Sequence, residues 1–125
     1  MESKDFYPLG SVFLFDALHV PYGCSVWPGF WTKAAVWPNG GEIDIVEQVN
    51  LATANQMTLH TAEGCTQDPG AKQTGKTVSS DCSGTAGNPT GGCGVMEQQK
   101  ASFGAPFASN GGGVWATQFD ETGIL

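Results

Sequence analysis

Hydrophobic and polar residues alternate over several short stretches of this chain. The cleanest case is Gln56–Thr61, in which the apolar residues face one way and the polar residues face the other. Similar patterns predict strands over Phe30–Ala35 and Val114–Asp120, and the apolar run Gly10–Asp16 predicts a strand that is buried. Short strands separated by Gly- and Pro-containing turns are typical of an all-β protein.

Two longer stretches lack such a pattern. Residues Ala62–Gly94 are dense in Gly, Thr, Ser, Asp and Asn, which predicts a long connecting region. Phe103–Gly113 is predicted to be a second loop. Loops as long as the first are usually functional or pinned in place, so we expect something to hold it.

The stretch Glu42–Glu47 carries an unusual number of acids for a strand. It follows a Gly-rich turn and contains β-branched residues, which favours a strand, although Asp and Glu are depleted in strands. Side chains alternate across a strand, so Glu42 and Asp44 share one face while Glu47 falls out of phase. One inserted residue at Ile45–Val46, a β-bulge, returns Glu47 to the face of the other two acids.

Three carboxyl groups on one face of a strand suggest acid–base and nucleophilic catalysis. In glycoside hydrolysis one carboxyl attacks the sugar carbon and another protonates the leaving oxygen, and a retaining enzyme holds the two about 5–5.5 Å apart. Asp44 lies between Glu42 and Glu47, where a hydrogen bond to a neighbour sets its pKa. The alternative for this stretch is a solvated edge strand whose charges prevent aggregation.

The composition narrows the function classes. The chain has 125 residues, of which 40% are hydrophobic, 14% are charged and 18 are Gly, which favours one all-β domain rich in turns. Only five residues are basic and the net charge is −7, which argues against nucleic-acid binding because phosphates require clustered Lys and Arg. No apolar run is long enough to cross a membrane, and the polar N-terminus lacks a signal-peptide core.

The four cysteines are Cys24, Cys65, Cys82 and Cys93, and three of them lie in or beside the predicted long connection. No Cys-x-x-Cys pair is present, which argues against a zinc knuckle. Disulfides in this region restrict the unfolded chain and indicate an oxidising, extracellular setting. Sequence alone leaves three pairings open.

Tryptophans and one histidine are candidates for binding. Sugars present flat C–H faces on which aromatic rings stack, so Trp27 and Trp31, just before the acidic strand, are the first choices. Trp37 fits a core or a site position equally well. His60 is on the polar face of a neighbouring predicted strand, beside the carboxylates or simply on the surface.

The Glu42–Glu47 stretch resembles the signature of glycoside hydrolase family 16, in the bulge-containing form of fungal laminarinase-type endo-1,3(4)-β-glucanases. The likeness extends from about Glu2 to the last residue. Its other motifs are Trp27–Thr32, Trp37–Gly41, Asn55–Thr61 and Ser109–Gly113.

The resemblance implies a two-sheet β-jelly roll, which is a concanavalin A-like sandwich. It also implies a retaining endo-β-glucanase in which Glu42 is the nucleophile, Asp44 assists it and Glu47 is the general acid/base. Tryptophans of this segment line the glucan cleft in the resembling enzymes, and a histidine at the place of His60 lies near the catalytic acids. Neither a metal nor an organic cofactor is implied.

Catalytic domains of this family are longer than the present chain. We therefore expect residues 1–125 to be a partial domain, truncated at both ends, of a secreted or cell-wall protein that acts as a monomer on β-glucan. The alternatives are an inactive fragment or a non-catalytic glucan-binding module that uses Trp27 and Trp31 for stacking. Hydrolysis and transglycosylation, and β-1,3 and mixed-linkage preference, stay open at this point.

Overall fold

The computed structural model of the chain describes residues 1–84 and 91–125. Within those ranges the chain forms eight strands and one short helix. In chain order they are β1 (Ser11–Ala17), β2 (Gly29–Lys33), β3 (Glu42–Glu47), β4 (Gln56–His60), β5 (Lys76–Ser79), β6 (Cys93–Met96), α1 (Gly104–Ser109), β7 (Gly113–Asp120) and β8 (Gly123–Ile124).

The strands form two antiparallel sheets, which confirms the predicted two-sheet, all-β class. The smaller sheet has the order β1-β7-β8 and the larger has the order β2-β3-β4-β6-β5. The acidic strand β3 is therefore flanked on both sides, by β2 and by β4. Among the described residues, no helix is long and apolar enough to span a membrane.

Strand β1 was predicted to be buried, and that prediction is wrong for one of its faces. Phe13 and Phe15 point toward the larger sheet, whereas Val12 and Leu14 are largely exposed. The reason is that an antiparallel sheet of a two-layer fold covers only one face, so a continuous apolar run need not be buried on both sides. Strand β7 alternates as predicted, with Trp115, Thr117 and Phe119 on the inner side.

The two sheets meet through aromatic and branched apolar side chains. Phe15 of β1 stacks on Phe30 of β2 with ring centroids 4.5 Å apart. Behind β3, the buried cluster contains Ile45 and Val46 together with Phe103 and Phe107. This packing fixes the inner face of β3 and leaves its opposite face for polar side chains.

Both predicted loops contain regular structure. The stretch predicted as a loop over Phe103–Gly113 holds α1, whose Phe107 is buried and whose preceding residue, Phe103, is fully buried. The predicted connection Ala62–Gly94 contains β5 and the start of β6, and its residues 85–90 are outside the described part of the chain. The small and polar residues of these strands do not predict them locally, because they form by tertiary pairing, β6 with β4 and β5 with β6.

One disulfide joins Cys82 to Cys93 at the start of β6, 11 positions apart in sequence. It ties the connecting region to the larger sheet, as the cysteine content predicted. Cys24 and Cys65 are free and exposed.

Candidate active site

The candidate site is on the polar face of β3, opposite the core. Glu42 and Glu47 are half-buried at the two ends of the strand, and Asp44 between them is only 2% exposed. The neighbouring strands add His60 from β4 and Trp31 from β2, so residues distant in sequence share one surface.

A β-bulge brings the three acids to the same face, as the sequence predicted. Asp44 pairs with Thr58 of β4 and Glu47 pairs with Gln56, so three steps along β3 correspond to two steps along β4. The register against β2 shifts at the same place. The inserted residue lets Ile45 and Val46 both enter the core, which turns Glu47 back toward the other acids.

Asp44 is the acid whose environment differs most from water. Burial, and then the negative charges of Glu47 and Glu42 and a hydrogen bond with Glu42, raise the pKa of Asp44 from 3.8 to about 8. Its Oδ2 lies 3.2 Å from Nε2 of His60. Asp44 is therefore mainly the neutral acid at pH 7 and has a proton to donate to Glu42.

Glu47 is held by an aromatic residue. Nε1 of Trp27 donates a 2.8 Å hydrogen bond to Oε1 of Glu47. The Trp27 ring is otherwise 72% exposed, so one side chain both fixes the carboxylate and presents a flat apolar surface. The sequence identified Trp27 as a stacking residue but gave no sign of this hydrogen bond.

The other two candidate tryptophans are also open to solvent. Trp31 lies across from Asp44 in the β2–β3 register and is about half exposed. Trp37, for which core and site positions were equally plausible, is half exposed too, with its ring centroid 6.2 Å from that of His60. The structure therefore brings all four candidate binding residues around the acidic strand.

Glu42, Asp44 and His60 also form a group that the sequence did not reveal as a cluster. One oxygen or nitrogen atom from each lies within 4.8 Å of the others, close enough to share a metal ion. Carboxylate and imidazole ligands must be deprotonated to bind a metal. Because Asp44 holds its proton at neutral pH, this group is a weaker ligand set than its composition suggests.

Two further residues that sequence reasoning overlooked support the site. The side chain of Asn55 is buried and hydrogen-bonds to the backbone of the bulge. Gly92 has a φ of +153°, and a Cβ there would lie 2.5 Å from the backbone oxygen of Leu59 and 2.8 Å from Nδ1 of His60, so a larger residue would disturb the backbone and the imidazole next to the site. Asn55 begins one of the motifs shared with family 16, but as a lone amide just before an alternating strand it ordinarily indicates a turn.

Comparison with known proteins gives a consistent result. The family model described as the XgeA-like, catalytic GH16 domain matches residues 1–125. The endo-1,3(4)-β-glucanase xgeA of Emericella nidulans is 42% identical over 122 residues, which are 97% of this chain and 19% of that protein. The chain spans 30% or less of the length of the first curated relatives that it matches.

Two solved structures superpose closely. The GH16 laminarinase 16A of Phanerochaete chrysosporium, with β-glucans in its donor and acceptor sites, is 40% identical with a TM-score of 0.81, over 90% of this chain and 38% of that one. An elongating family 16 β-1,3-glucosyltransferase is 43% identical with a TM-score of 0.81, over 93% and 38%. These likenesses confirm the predicted β-jelly-roll class.

Proposed function

This chain belongs to the XgeA-like catalytic domains of glycoside hydrolase family 16, and we propose that its protein is a retaining endo-β-glucanase acting on β-1,3 and mixed β-1,3(1,4) glucans. The observation that carries the proposal is the bulge in β3, which gathers Glu42, Asp44 and Glu47 on one face. The family membership agrees with that reaction, and the glucanase name of the Emericella relative supports the substrate class.

In the first step, the carboxylate of Glu42 attacks the anomeric carbon and the glycosidic C–O bond breaks. Glu47 gives its proton to the departing oxygen, and a covalent glycosyl ester forms on Glu42. In the second step, Glu47 takes a proton from water, whose oxygen attacks the same carbon and releases Glu42. Two inversions leave the product in the β configuration.

Asp44 assists both steps by holding a proton next to Glu42. In the resting enzyme the neutral Asp44 donates a hydrogen bond to the Glu42 carboxylate, which orients the nucleophile without placing a second negative charge directly beside it. His60 lies on the other side of Asp44 and restricts where its carboxyl group turns. The hydrogen bond from the buried Asp44 thus preorganises the nucleophile.

Trp27, Trp31 and Trp37 are proposed to bind the glucan. Exposed rings around a line of carboxyls suit a polysaccharide, because sugar rings offer apolar C–H faces and many hydroxyl groups. Glucans occupy both the donor and acceptor sites of the Phanerochaete laminarinase, which supports a similar ligand here.

Transglycosylation is the second candidate activity. The similarity to an elongating β-1,3-glucosyltransferase favours it, because a sugar hydroxyl replaces water in the second step and the same residues serve both reactions. The competing idea of a non-catalytic glucan-binding module does not account for three acids aligned by a bulge.

We also propose that residues 1–125 are part of a larger catalytic domain, that the protein is secreted or bound to the cell wall, and that it acts as a monomer. The disulfide supports the oxidising compartment. In the experiments below, the full-length protein means the whole polypeptide to which these residues belong.

The direct test of this function is Glu42→Gln in the full-length protein. We expect laminarin hydrolysis to fall by at least about 10⁴-fold, because the covalent intermediate cannot form, while glucan affinity stays within about threefold. Release of reducing sugar measures the first quantity, and calorimetry with a laminarin oligosaccharide measures the second. Near-wild-type hydrolysis would reject the nucleophile assignment, and binding without hydrolysis by the unmodified protein would support a binding module.

A further inference from the structure

At the bulge of β3, one buried side chain hydrogen-bonds to two backbone groups of the strand. Nδ2 of Asn55 donates to the carbonyl oxygen of Ile45 at 2.8 Å, and Oδ1 of Asn55 accepts from the backbone N–H of Glu47 at 3.1 Å. Asn55 precedes β4 and is 1% exposed. Its amide group therefore bridges the two ends of the bulge away from water.

Asn55 is itself fixed by its own backbone. Its N–H donates to the hydroxyl of Ser102 at 3.0 Å, and its carbonyl oxygen accepts from the N–H of Glu97 at 2.9 Å. The backbone of Asn55 is thus bonded to the chain before α1, and its side-chain amide is bonded to the bulge. Because Asn55 is fixed in this way, its side chain also fixes the position of the Glu47 backbone.

We propose that Asn55 is a positioning residue that holds the bulge so that the carboxyl group of Glu47 reaches the scissile bond. The inference rests on the proposed function, in which Glu47 is the general acid/base. It assigns a specific task to a residue that contacts neither substrate nor reacting atoms.

Side-chain chemistry explains why this position needs asparagine. A primary amide offers a donor and an acceptor at one end, which the Ile45 carbonyl and the Glu47 N–H require together. Aspartate is nearly the same size, but when ionised it only accepts hydrogen bonds and would face the Ile45 carbonyl with a second oxygen. Asn55→Asp therefore changes the bridge with little change in volume.

The expected consequence is a displaced general acid rather than a lost fold. A misplacement of about 1 Å can cost about 100-fold in rate, so we expect Asn55→Asp to lower kcat on laminarin by about 10- to 100-fold. KM should change by less than about threefold, because the aromatic surfaces that bind glucan are elsewhere.

Rates on substrates with different leaving groups distinguish a displaced general acid from a general loss of active-site structure. A laminaribioside of 2,4-dinitrophenol needs little protonation as it departs, so its cleavage step should stay near the wild-type rate in Asn55→Asp. Azide, which attacks the glycosyl ester of Glu42 without needing a base, should accelerate turnover and yield a β-glycosyl azide. Glu47→Ala in the same protein, which removes the acid altogether, shows how large the leaving-group dependence and the azide acceleration are when no general acid/base is present.

Removing the bulge gives a second, independent test. Deletion of Val46 leaves Glu-Ile-Asp-Ile-Glu, in which the acids alternate without an inserted residue. The Ile45 carbonyl and the next N–H then no longer flank an inserted residue, so Asn55→Asp should cost less than about threefold in kcat in that background. Asn110→Asp is the matched control, because Asn110 also donates from Nδ2 to a backbone carbonyl but lies after α1.

The outcomes are distinguishable in the full-length protein. If Glu47→Ala shows no dependence on the leaving group, the proposed function fails and the role of Asn55 fails with it. If Glu47→Ala shows the pattern but Asn55→Asp loses activity equally on both substrates, or loses as much without Val46, the role of Asn55 alone is rejected. Should Asn55→Asp not fold, Asn55→Ser, which keeps an acceptor for the Glu47 N–H, is measured against the same criteria.

Discussion

His60 Nε2 lies 3.2 Å from Asp44 Oδ2, which joins β4 to the most buried acid of β3. The residue directly opposite His60 in the register is Glu42, so the imidazole leans diagonally across the strand pair to reach Asp44. The contact gives the middle acid a partner on each side, with Glu42 on its own strand and His60 on the next.

The raised pKa of Asp44 predicts how stability varies with pH. Since the pKa in the folded protein is about 8 and the ordinary value is 3.8, the folded state binds more protons than the unfolded state between those values. Stability should therefore fall as pH rises from about 4 to 8, by at most about 1.4 kcal/mol per pH unit from this group. Asp44→Asn should remove that part of the slope.

Urea unfolding of the full-length protein at several pH values between 4.5 and 8 measures the slope. Asp120→Asn is the control: Asp120 is exposed and hydrogen bonds from Thr122 lower its pKa, so its contribution changes only at more acidic pH. Parallel stability curves for the Asp44→Asn and unmodified proteins would contradict the assignment of a raised pKa to Asp44.

The hydrogen bond between Trp27 and Glu47 predicts a difference between two substitutions. Trp27→Phe keeps a stacking ring but loses the N–H donor, so kcat should fall while KM changes little. A hydrogen bond contributes about 0.5–1.5 kcal/mol, which corresponds to roughly a 2- to 10-fold loss in kcat. Trp27→Ala should also raise KM, because it removes the ring. Steady-state kinetics on laminarin separate the effects, and equal kcat for Trp27→Phe and the unmodified enzyme would show that this hydrogen bond does not position Glu47.

Much of the site could be predicted from the sequence because it depends on strand periodicity. The two-residue alternation placed Glu42, Asp44 and His60 on polar faces, and the phase error of Glu47 indicated the bulge. The hydrogen bonds of Trp27 and Asn55 were not predictable, because they join residues 20 and 8 to 10 positions apart through the tertiary fold.

The same distinction explains the errors in the fold. Phe103 and Phe107 are core residues, yet the glycines and proline around them indicate a loop. The short helix is stabilised by packing against the inner face of β3, which the local sequence does not show. Strand β6 contains Gly94 and a disulfide-bonded Cys93, neither of which favours a strand locally. It is a strand because β4 and β5 pair with it on both sides.

The proposed roles of Glu42 and Glu47 predict the stereochemistry of the reaction. If Glu42 and Glu47 act as nucleophile and acid/base, the first product should carry the β configuration at its new reducing end. Proton NMR of laminarin hydrolysis in deuterated buffer records the anomer formed before mutarotation. An initial α anomer would mean that water attacks directly, and Glu42 would then be a base rather than a nucleophile.

The last prediction concerns residues 1–125 produced alone. They expose 8141 Å² of surface, whereas a folded monomer of 13.1 kDa should expose about 6,400 Å². The excess of about 1,700 Å² is as large as a typical protein–protein interface. Some of it is the outer apolar face of the smaller sheet, where Val12, Leu14 and Val114 are each more than 60% exposed.

We therefore expect residues 1–125 alone to unfold without a sharp thermal transition and to release no sugar from laminarin. The full-length protein should unfold cooperatively and should hydrolyse laminarin. The active face depends on the larger sheet, which contains β3, packing against the smaller sheet, and a smaller sheet with uncovered apolar residues supports it weakly. Glu42→Gln in the full-length protein is the control, since it should unfold cooperatively but remain inactive. A cooperative transition together with laminarin hydrolysis by residues 1–125 alone would overturn the prediction, because it would show that the sheets described here position Glu42 and Glu47 without further support.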